Sequence, residues 1–178
     1  MEFLSSDAHE RARRIKVVVF DVDGVLTDGR LWYGPDGEAL KAFHAFDGHG
    51  VKMLQQAGLQ AALLSGREMA AVGERARELA ITHVLQGVAD KRRAFDALLR
   101  RLKLARGAAA YMGDDLVDLG VLERCGLACA PHEAPEAVRS VAHCIPSAPA
   151  GRGAARELCE FILEAQGRLA GLLRRYRR

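Results

Sequence analysis

Short apolar runs alternate with segments of helical periodicity along most of the chain. The apolar runs predict buried strands over residues 15–20, 60–64, 82–85, 108–112, 127–130 and 143–145. Apolar residues spaced three and four apart predict helices over residues 51–58, 68–79, 91–102, from about 116 to 125, 135–141 and 154–173. This alternation predicts an α/β fold with a doubly wound parallel sheet and right-handed crossovers.

Three segments fall outside the alternation, and with them the sequence fits one domain over residues 1–178. Residues 1–14 form a charged lead-in. Residues 28–43 carry turn residues at 35–37 between two short segments, which predicts a β-hairpin excursion after the first strand. Its apolar and aromatic side chains are numerous, so we expect the hairpin to pack against a partner subunit. Residues 146–178 are predicted to form a tail loop and the C-terminal helix.

Polar side chains follow three of the predicted strands. Asp21 and Asp23 end the first strand, Ser65 ends the second and Asp114 ends the fourth, while Lys91 begins a helix. The carboxyl ends of parallel strands share one edge of the sheet, and ligands bind at that edge. Crowded carboxylates repel one another unless a cation lies between them, and Mg²⁺ prefers oxygen ligands. The sequence therefore predicts a site for Mg²⁺ and a ligand at this edge.

Each of these residues also has an ordinary structural explanation. Ser65 and Asp114 are typical helix caps or turn residues, and Lys91 is of a type common on protein surfaces. Their occurrence together, in order and each at a strand end or helix start, argues against a purely structural role.

Residues 21–27 read Asp-Val-Asp-Gly-Val-Leu-Thr, which resembles the first motif of the haloacid dehalogenase-like (HAD) hydrolases. With the downstream residues, the resemblance extends over residues 15–145. It implies a HAD-like, Rossmannoid fold in which Asp21 attacks phosphorus and forms an aspartyl-phosphate. It also implies that Asp23 is the general acid and then the general base, which favours a phosphatase over an ATPase or a dehalogenase.

The same resemblance implies roles for the remaining polar residues. Ser65 would bind a phosphoryl oxygen, and Lys91 would neutralise charge on the transferring group. Asp118 would orient Lys91 or touch the substrate. The implied Mg²⁺ ligands are the carboxylates of Asp21 and Asp114 and the main-chain carbonyl of Asp23.

The gaps between the motifs hold no cap domain, so the site is predicted to be uncapped within its own chain. Residues 37–43, 47–50, 81–87 and 151–159 resemble the 3-deoxy-D-manno-octulosonate 8-phosphate (KDO 8-phosphate) phosphatase family over residues 13–170. The resemblance implies Mg²⁺-dependent hydrolysis of KDO 8-phosphate in lipopolysaccharide biosynthesis. It also implies a homotetramer with a central barrel of hairpins, in which neighbouring subunits complete each site and the tail reaches an adjacent one.

The implied substrate is a small phosphorylated sugar acid, and guanidinium groups at Arg67 and Arg75 would suit its anionic groups. In place of the family's Asn-Val-Arg, residues 44–46 read His-Ala-Phe, so Phe46 stands at the arginine position while His44 keeps a hydrogen-bonding side chain. The complete set of expected substrate contacts is Asp23, His44, Asp47, Gly48, Ser65, Gly66, Arg67, Arg75, Lys91, Asp118 and Arg152.

Other functions remain open at the level of the sequence. The alternatives are a phosphatase of another sugar acid, such as N-acylneuraminate 9-phosphate, and a non-catalytic oligomeric scaffold with this fold. Nucleic-acid binding is not expected, because 26 basic against 23 acidic residues give a net charge of only +3, and the arginine-rich residues 174–178 suit a helix end.

The cellular setting follows from two further observations. Four cysteines without zinc-ligand spacing predict reduced thiols in the core. With no apolar stretch of about eighteen residues and no apolar signal region, we expect a cytoplasmic protein with no membrane segment.

Overall fold

A computed structural model describes residues 1–177 of the chain, apart from the side chains of residues 38 and 39. The strands are β1 (Glu2–Phe3), β2 (Val17–Phe20), β3 (Trp32–Gly34), β4 (Gly37–Leu40), β5 (Gln60–Leu64), β6 (His83–Leu85), β7 (Ala109–Met112), β8 (Leu127–Cys129) and β9 (Cys144–Ile145). The helices are α1 (Ala8–Arg14), α2 (Ala45–Gln56), α3 (Ala70–Glu78), α4 (Lys91–Leu102), α5 (Leu119–Leu122), α6 (Glu136–Arg139), α7 (Ala154–Ala165) and α8 (Leu169–Tyr176). Two 3₁₀ turns span Arg106–Ala108 and Leu116–Asp118.

Seven strands form one sheet in the order β1-β9-β8-β7-β2-β5-β6. All of the pairings are parallel except that of β1 with β9 at the edge. From β2 the chain continues to β5 and β6 on one side and then crosses to β7, β8 and β9 on the other. The predicted doubly wound sheet is confirmed, and its topological switch point lies between β2 and β7, where such sheets bind ligands. Strands β3 and β4 pair antiparallel as a separate two-stranded sheet.

The core has two layers, one on each face of the sheet, because successive side chains of a strand point to opposite faces. Val18 and Phe20 pack in the layer that contains α1, α2, α3 and α7. Val17 and Val19 pack with α4, α5 and α6. All four β2 side chains are completely buried, so the central strand holds the residues that follow it in a fixed position.

Several predicted elements have different boundaries in the structure. The strand over Gln60–Leu64 and the helix starting at Lys91 are confirmed. Helix α2 starts six residues earlier than predicted, at Ala45, because the His44 side chain accepts a hydrogen bond from the amide of Phe46 and caps the helix.

The predictions for the two ends of the chain and for the segment after β7 need correction. The predicted helix over residues 154–173 is wrong as a single element, because Gly167 adopts a left-handed conformation with φ +68° between α7 and α8. The lead-in contains α1 and also the two-residue edge strand β1, which is too short to give a sequence pattern. The segment from 116 to 125 forms a 3₁₀ turn and the short helix α5.

Cysteine burial agrees with the sequence prediction. All four cysteines are buried and unpaired. Burial raises the pKa of the Cys125 thiol to about 12, so that this thiol stays protonated at neutral pH. The predicted basic helix end is present in the last turn of α8 at Arg174 and Arg175, while Arg178 lies outside the described residues.

None of the helices within residues 1–177 combines the length and apolar character needed to cross a membrane.

Candidate active site

The polar residues expected at the sheet edge lie together in one cleft. In the sheet, β2 lies between β5 and β7, and Phe20 is in register with Leu63 and with Met112. The residues that follow these three strands therefore emerge side by side. They line a cleft of about 280 Å³ whose walls include Asp21, Asp23, Ser65, Gly66, Arg67, Lys91 and Asp114.

Lys91 is held between two carboxylates at the base of this cleft. As the first residue of α4, it is placed by a helix start that Asp90 caps by accepting a hydrogen bond from the amide of Arg93 at 2.9 Å. Its Nζ lies 2.9 Å from Oδ2 of Asp21 and 2.8 Å from Oδ1 of Asp118, and 5% of its side chain is exposed. Burial alone would lower the pKa of Lys91, but the two carboxylates outweigh it, so the pKa is raised and the ammonium is retained.

Asp118 orients Lys91 and faces away from solvent. Its Oδ1 also accepts a hydrogen bond from the Tyr111 hydroxyl at 2.5 Å. Its Oδ2 accepts hydrogen bonds from the amides of Asp114 at 3.1 Å and Asp115 at 3.2 Å. The side chain has no exposed surface, and both carboxylate oxygens are already bonded. Of the two roles considered for Asp118, the geometry favours holding Lys91 over touching a substrate.

Asp21 and Asp114 form the electrostatically strained part of the site. Burial, with a smaller contribution from the neighbouring carboxylates, raises the pKa of Asp114 to about 8. Burial also raises the pKa of Asp21 to about 6, although the charge of Lys91 opposes that change. These raised pKa values mean that the protein groups around the two carboxyls do not fully compensate their negative charges.

This donor set fits a divalent cation. Carboxylate oxygens of Asp21, Asp114 and Asp118 lie within 4.8 Å of one another. Because the oxygens of Asp118 are already hydrogen-bonded, Asp21 and Asp114 are the carboxylates available to a metal. Oδ1 of Asp114 is buried and has no hydrogen-bond partner among the described residues. A hard cation would satisfy that oxygen and relieve the repulsion.

The close approach of the first motif to Asp114 requires glycine at position 24. Gly24 has φ +80°, and a Cβ there would lie 2.0 Å from Oδ2 of Asp114. Any other side chain would therefore push Asp114 out of the cluster.

Asp23 also lines the cleft, and 20% of its side chain is exposed to solvent. The ammonium of Lys41 donates a hydrogen bond to its Oδ1. Its Oδ2 lies 4.0 Å from Nε of Arg67. Sequence reasoning missed Lys41, because it is 18 residues from Asp23 and belongs to the hairpin, whose orientation the sequence pattern does not give.

Ser65 and Arg67 shape the opposite wall. The Ser65 side chain is buried, and its hydroxyl oxygen accepts a hydrogen bond from the amide of Arg67 at 3.2 Å. This contact forms a local turn. The helix-cap explanation for Ser65 is wrong, because α3 begins at Ala70 and its N-cap residue is Met69. The local turn holds the Ser65 hydroxyl at the edge of the cleft.

His44, Gly48 and Arg75 form a separate cluster between α2 and α3. Arg75 donates hydrogen bonds to the carbonyl of His44 at 3.1 Å and to Glu78 at 2.8 Å. A Cβ on Gly48 would lie 2.2 Å from Nη2 of Arg75, so glycine allows the two helices to approach. Within the described part of the chain, these residues do not line the catalytic cleft.

Asp47, expected as a substrate contact, holds two helices together. The residue is 2% exposed, and its carboxylate accepts hydrogen bonds from the amides of Gly153 at 3.1 Å and Arg156 at 2.9 Å. These amides belong to the start of α7, whose own N-cap residue is a glycine with no side chain to do this. Asp47 is thus committed to capping α7.

Arg152 lies in a second cleft beside the catalytic one. This cleft has a volume of about 430 Å³ and shares Gly29, Asp114 and Asp115 with its neighbour. Arg152 therefore lies near the site but on a different wall from Arg67.

Comparison with known proteins identifies related chains. A profile of haloacid dehalogenase-like hydrolases matches residues 80–158. The 3-deoxy-D-manno-octulosonate 8-phosphate phosphatase of Escherichia coli K12 is 40% identical over 166 residues, which cover 93% of this chain and 88% of that protein.

Solved structures show the same similarity across the whole fold. A probable YrbI-family phosphatase from Pseudomonas syringae is 48% identical, with a TM-score of 0.95 and coverage of 98% of this chain and 99% of that one. The KDO 8-phosphate phosphatase of Moraxella catarrhalis is 37% identical, with a TM-score of 0.93 and coverage of 96% and 98%; that structure contains magnesium, phosphate and KDO.

Proposed function

Because this chain belongs to the KDO 8-phosphate phosphatase family of haloacid dehalogenase-like hydrolases, we propose that it hydrolyses KDO 8-phosphate to KDO and phosphate. The observation that carries the proposal is the buried contact of Lys91 with Asp21 at 2.9 Å, at the switch point of the sheet and beside Asp114. The buried ammonium of Lys91 can bind a phosphate group beside the Asp21 carboxylate, which remains available as a nucleophile.

In the proposed reaction, an Asp21 oxygen attacks phosphorus and the bond from phosphorus to the sugar oxygen breaks. Asp23, in its protonated form, gives its proton to the departing sugar oxygen. The resulting Asp23 carboxylate then takes a proton from water as that water attacks the aspartyl-phosphate, which releases phosphate and restores Asp21. The partial exposure of Asp23 suits this role, because both the sugar oxygen and water must reach it.

The other cleft residues stabilise the charge on the transferring group. Lys91 offers an ammonium already fixed by Asp118, so little reorganisation is needed when charge develops. The Ser65 hydroxyl can donate to a phosphoryl oxygen while its own oxygen keeps the amide hydrogen bond from Arg67. Both groups lie on strand ends or helix starts, which gives them the rigidity that such catalysis requires.

Asp21 and Asp114, with the main-chain carbonyl of Asp23, are the proposed Mg²⁺ ligands. When bound, the cation supplies positive charge that screens the nucleophile from the phosphate and polarises a phosphoryl oxygen. The magnesium in the Moraxella enzyme and the unsatisfied Oδ1 of Asp114 support this proposal.

Arginines near the cleft are the proposed ligands of the substrate's carboxylate group. Arg67 lines the catalytic cleft and Arg152 lines the adjoining one, so either guanidinium can approach a substrate that extends from Asp21. Arg75 is committed to His44 and Glu78 and is not proposed as a ligand of the isolated subunit.

We further propose that the chain assembles into a homotetramer through the β3–β4 arm. The side chains of Trp32, Tyr33 and Leu40 are 54%, 65% and 67% exposed, which is unfavourable for an isolated subunit in water. Neighbouring arms would bury this surface and complete the uncapped cleft. The KDO product would serve lipopolysaccharide biosynthesis.

The test is the rate of phosphate release, with Mg²⁺ present, from KDO 8-phosphate, N-acylneuraminate 9-phosphate and ribose 5-phosphate. We expect kcat/KM to favour KDO 8-phosphate by ~100-fold or more, which is about 2.7 kcal/mol of transition-state binding. Preference for the nine-carbon ester would reassign the substrate. No release from any of the three esters would contradict the proposed enzymatic function.

A further inference from the structure

The β3–β4 arm brings one buried cation to the catalytic acid and base. Lys41 directly follows β4, and only 1% of its side chain is exposed although the preceding residue, Leu40, is 67% exposed. Burying an ammonium is costly unless an opposite charge compensates for it. Its ammonium donates a hydrogen bond to the carboxylate of Asp23, and the family resemblance assigns Lys41 no role.

We propose that Lys41 is a positioning residue for Asp23, because its buried ammonium fixes the orientation of the Asp23 carboxylate in the cleft. This inference rests on the proposed phosphatase function. Lys41 donates to Oδ1, so that oxygen is occupied by a hydrogen bond from an ammonium. Oδ2 lies 4.0 Å from Nε of Arg67. The hydrogen bond from Lys41 therefore restricts the rotation of the carboxylate that serves the leaving group.

The two steps of the reaction use this arrangement in the same way. When the bond from phosphorus to oxygen breaks, the electron pair stays on the sugar oxygen, which takes the proton from the Asp23 carboxyl group. Asp23 is then an anion, and the fixed ammonium of Lys41 stabilises it. In the second step, the Asp23 carboxylate takes a proton from the attacking water, and the phosphoryl group leaves Asp21 as phosphate. Lys41 exchanges no proton in either step.

The consequence is a dependence on the leaving group. A sugar alkoxide is a strong base and needs the proton, whereas p-nitrophenolate departs without one. The ratio kcat/KM reports only steps up to the departure of the leaving group, so water activation does not enter it. Loss of Lys41 should therefore impair hydrolysis of the sugar ester much more than hydrolysis of p-nitrophenyl phosphate.

The experiment measures kcat/KM on KDO 8-phosphate and p-nitrophenyl phosphate for wild type, Lys41→Met and Lys41→Arg. Lys52→Met is the matched control, because Lys52 is exposed on α2. For Lys41→Met we expect a loss of ~100-fold on the sugar ester and less than ~3-fold on p-nitrophenyl phosphate, since general acid catalysis contributes at least ~100-fold. Lys41→Arg, which keeps the charge, should recover ~10-fold or more on the sugar ester.

An equal loss on both esters would show that Lys41 is structural or binds phosphate, and no loss on either would show that it is dispensable; either result overturns the inference. If Lys41→Met does not fold, as judged by its melting temperature, Lys41→Gln replaces it with the same expected outcomes. If the wild-type protein is inactive on both esters, the proposed function itself is refuted. If the wild-type protein hydrolyses both esters but Lys41→Met shows an equal loss or no loss, only this inference is refuted.

Discussion

Lys91 contacts two carboxylates, and only one of them belongs to the cleft. Asp21 receives the phosphoryl group in the proposed reaction, whereas Asp118 remains an anion that keeps the ammonium in place. A single carboxylate would leave Lys91 free to move when Asp21 becomes esterified. Asp118 can do this because the amides of Asp114 and Asp115 and the Tyr111 hydroxyl also stabilise its charge.

Asp118→Asn should weaken both folding and catalysis. The substitution removes the charge opposite a buried ammonium, and breaking one partner of a buried ion pair typically costs ~3 kcal/mol. Urea unfolding measures the loss of stability, and kcat/KM on KDO 8-phosphate should fall because Lys91 is less well fixed. Asp115→Asn is the control, because Asp115 is exposed and the hydrogen bond that it accepts from the Leu116 amide can also be accepted by asparagine. Equal stability of Asp118→Asn and wild type would contradict this account.

From the sequence we could predict which residues lie near the cleft, but not all of the side chains that they contact. Asp21, Ser65 and Asp114 follow strands, and strand ends can be located from apolar runs. The Lys91 contact with Asp118 was anticipated only as one of two alternatives, because the α5 segment after β7 is mostly irregular. The role of Lys41 could not be predicted, since its contact with Asp23 depends on the orientation of the hairpin relative to the end of β2.

Helices α2 and α7 are joined through Asp47, which lies in the first turn of α2. The amides it accepts from belong to Gly153 and Arg156, more than one hundred residues along the chain. A carboxylate at a helix N-terminus is also favoured by the helix dipole. The sequence placed Asp47 and Gly48 with the substrate contacts because the family motif contains them. It carries no signal for the distant helix end that Asp47 caps.

Asp47→Ala should destabilise the protein by ~2 kcal/mol, because two buried amides lose their acceptor. Asp47→Asn should cost less, ~1 kcal/mol, because the side-chain carbonyl oxygen of asparagine replaces one of the two acceptor oxygens while its NH2 group cannot replace the other. Urea unfolding gives both values. The substrate preference measured by kcat/KM should be unchanged in Asp47→Asn. A changed preference in a stable Asp47→Asn protein would return Asp47 to the substrate contacts.

The stability contribution of Asp47 also depends on pH. Burial raises the pKa of Asp47, even though the backbone hydrogen bonds act in the opposite direction. The folded state therefore binds the proton more tightly than the unfolded state, where the pKa is about 3.9. The contribution of Asp47 to the free energy of unfolding must therefore rise as the pH falls from neutral through the pKa of the folded state. It levels off below the pKa of the unfolded state, where both states carry the proton. The free energy of unfolding of wild type relative to Asp47→Asn should rise over that range; a flat difference would contradict the assigned environment.

At the scale of the whole molecule, the sequence pattern predicts the parallel sheet and the uncapped cleft. In the isolated chain, the apolar side chains of the β3–β4 arm are exposed to solvent. The exposed Trp32, Tyr33 and Leu40 lie on the element that also supplies Lys41. Assembly would therefore fix the residue that positions Asp23. Subunit contacts are visible in the sequence only as surplus apolar residues in the hairpin. Family resemblance therefore suggests how the subunits meet, whereas the apolar pattern by itself does not specify the geometry.

Light scattering of the purified protein should give the mass of four chains. Trp32→Ser combined with Tyr33→Ser should lower that mass, because it removes apolar area at the proposed contact. Leu173→Ser is the control, at an exposed apolar site on α8. A wild-type monomer would contradict the proposed assembly.

The measurement that tests the central claim most directly is acid-quench mass spectrometry of Asp23→Asn mixed with p-nitrophenyl phosphate and Mg²⁺. This ester needs no general acid, and without the base the aspartyl-phosphate should persist. We predict one phosphoryl group on the peptide that contains Asp21, and none when Asp21→Asn is added to the variant. Phosphate release without any phosphorylated peptide, and undiminished release by Asp21→Asn, would contradict the account.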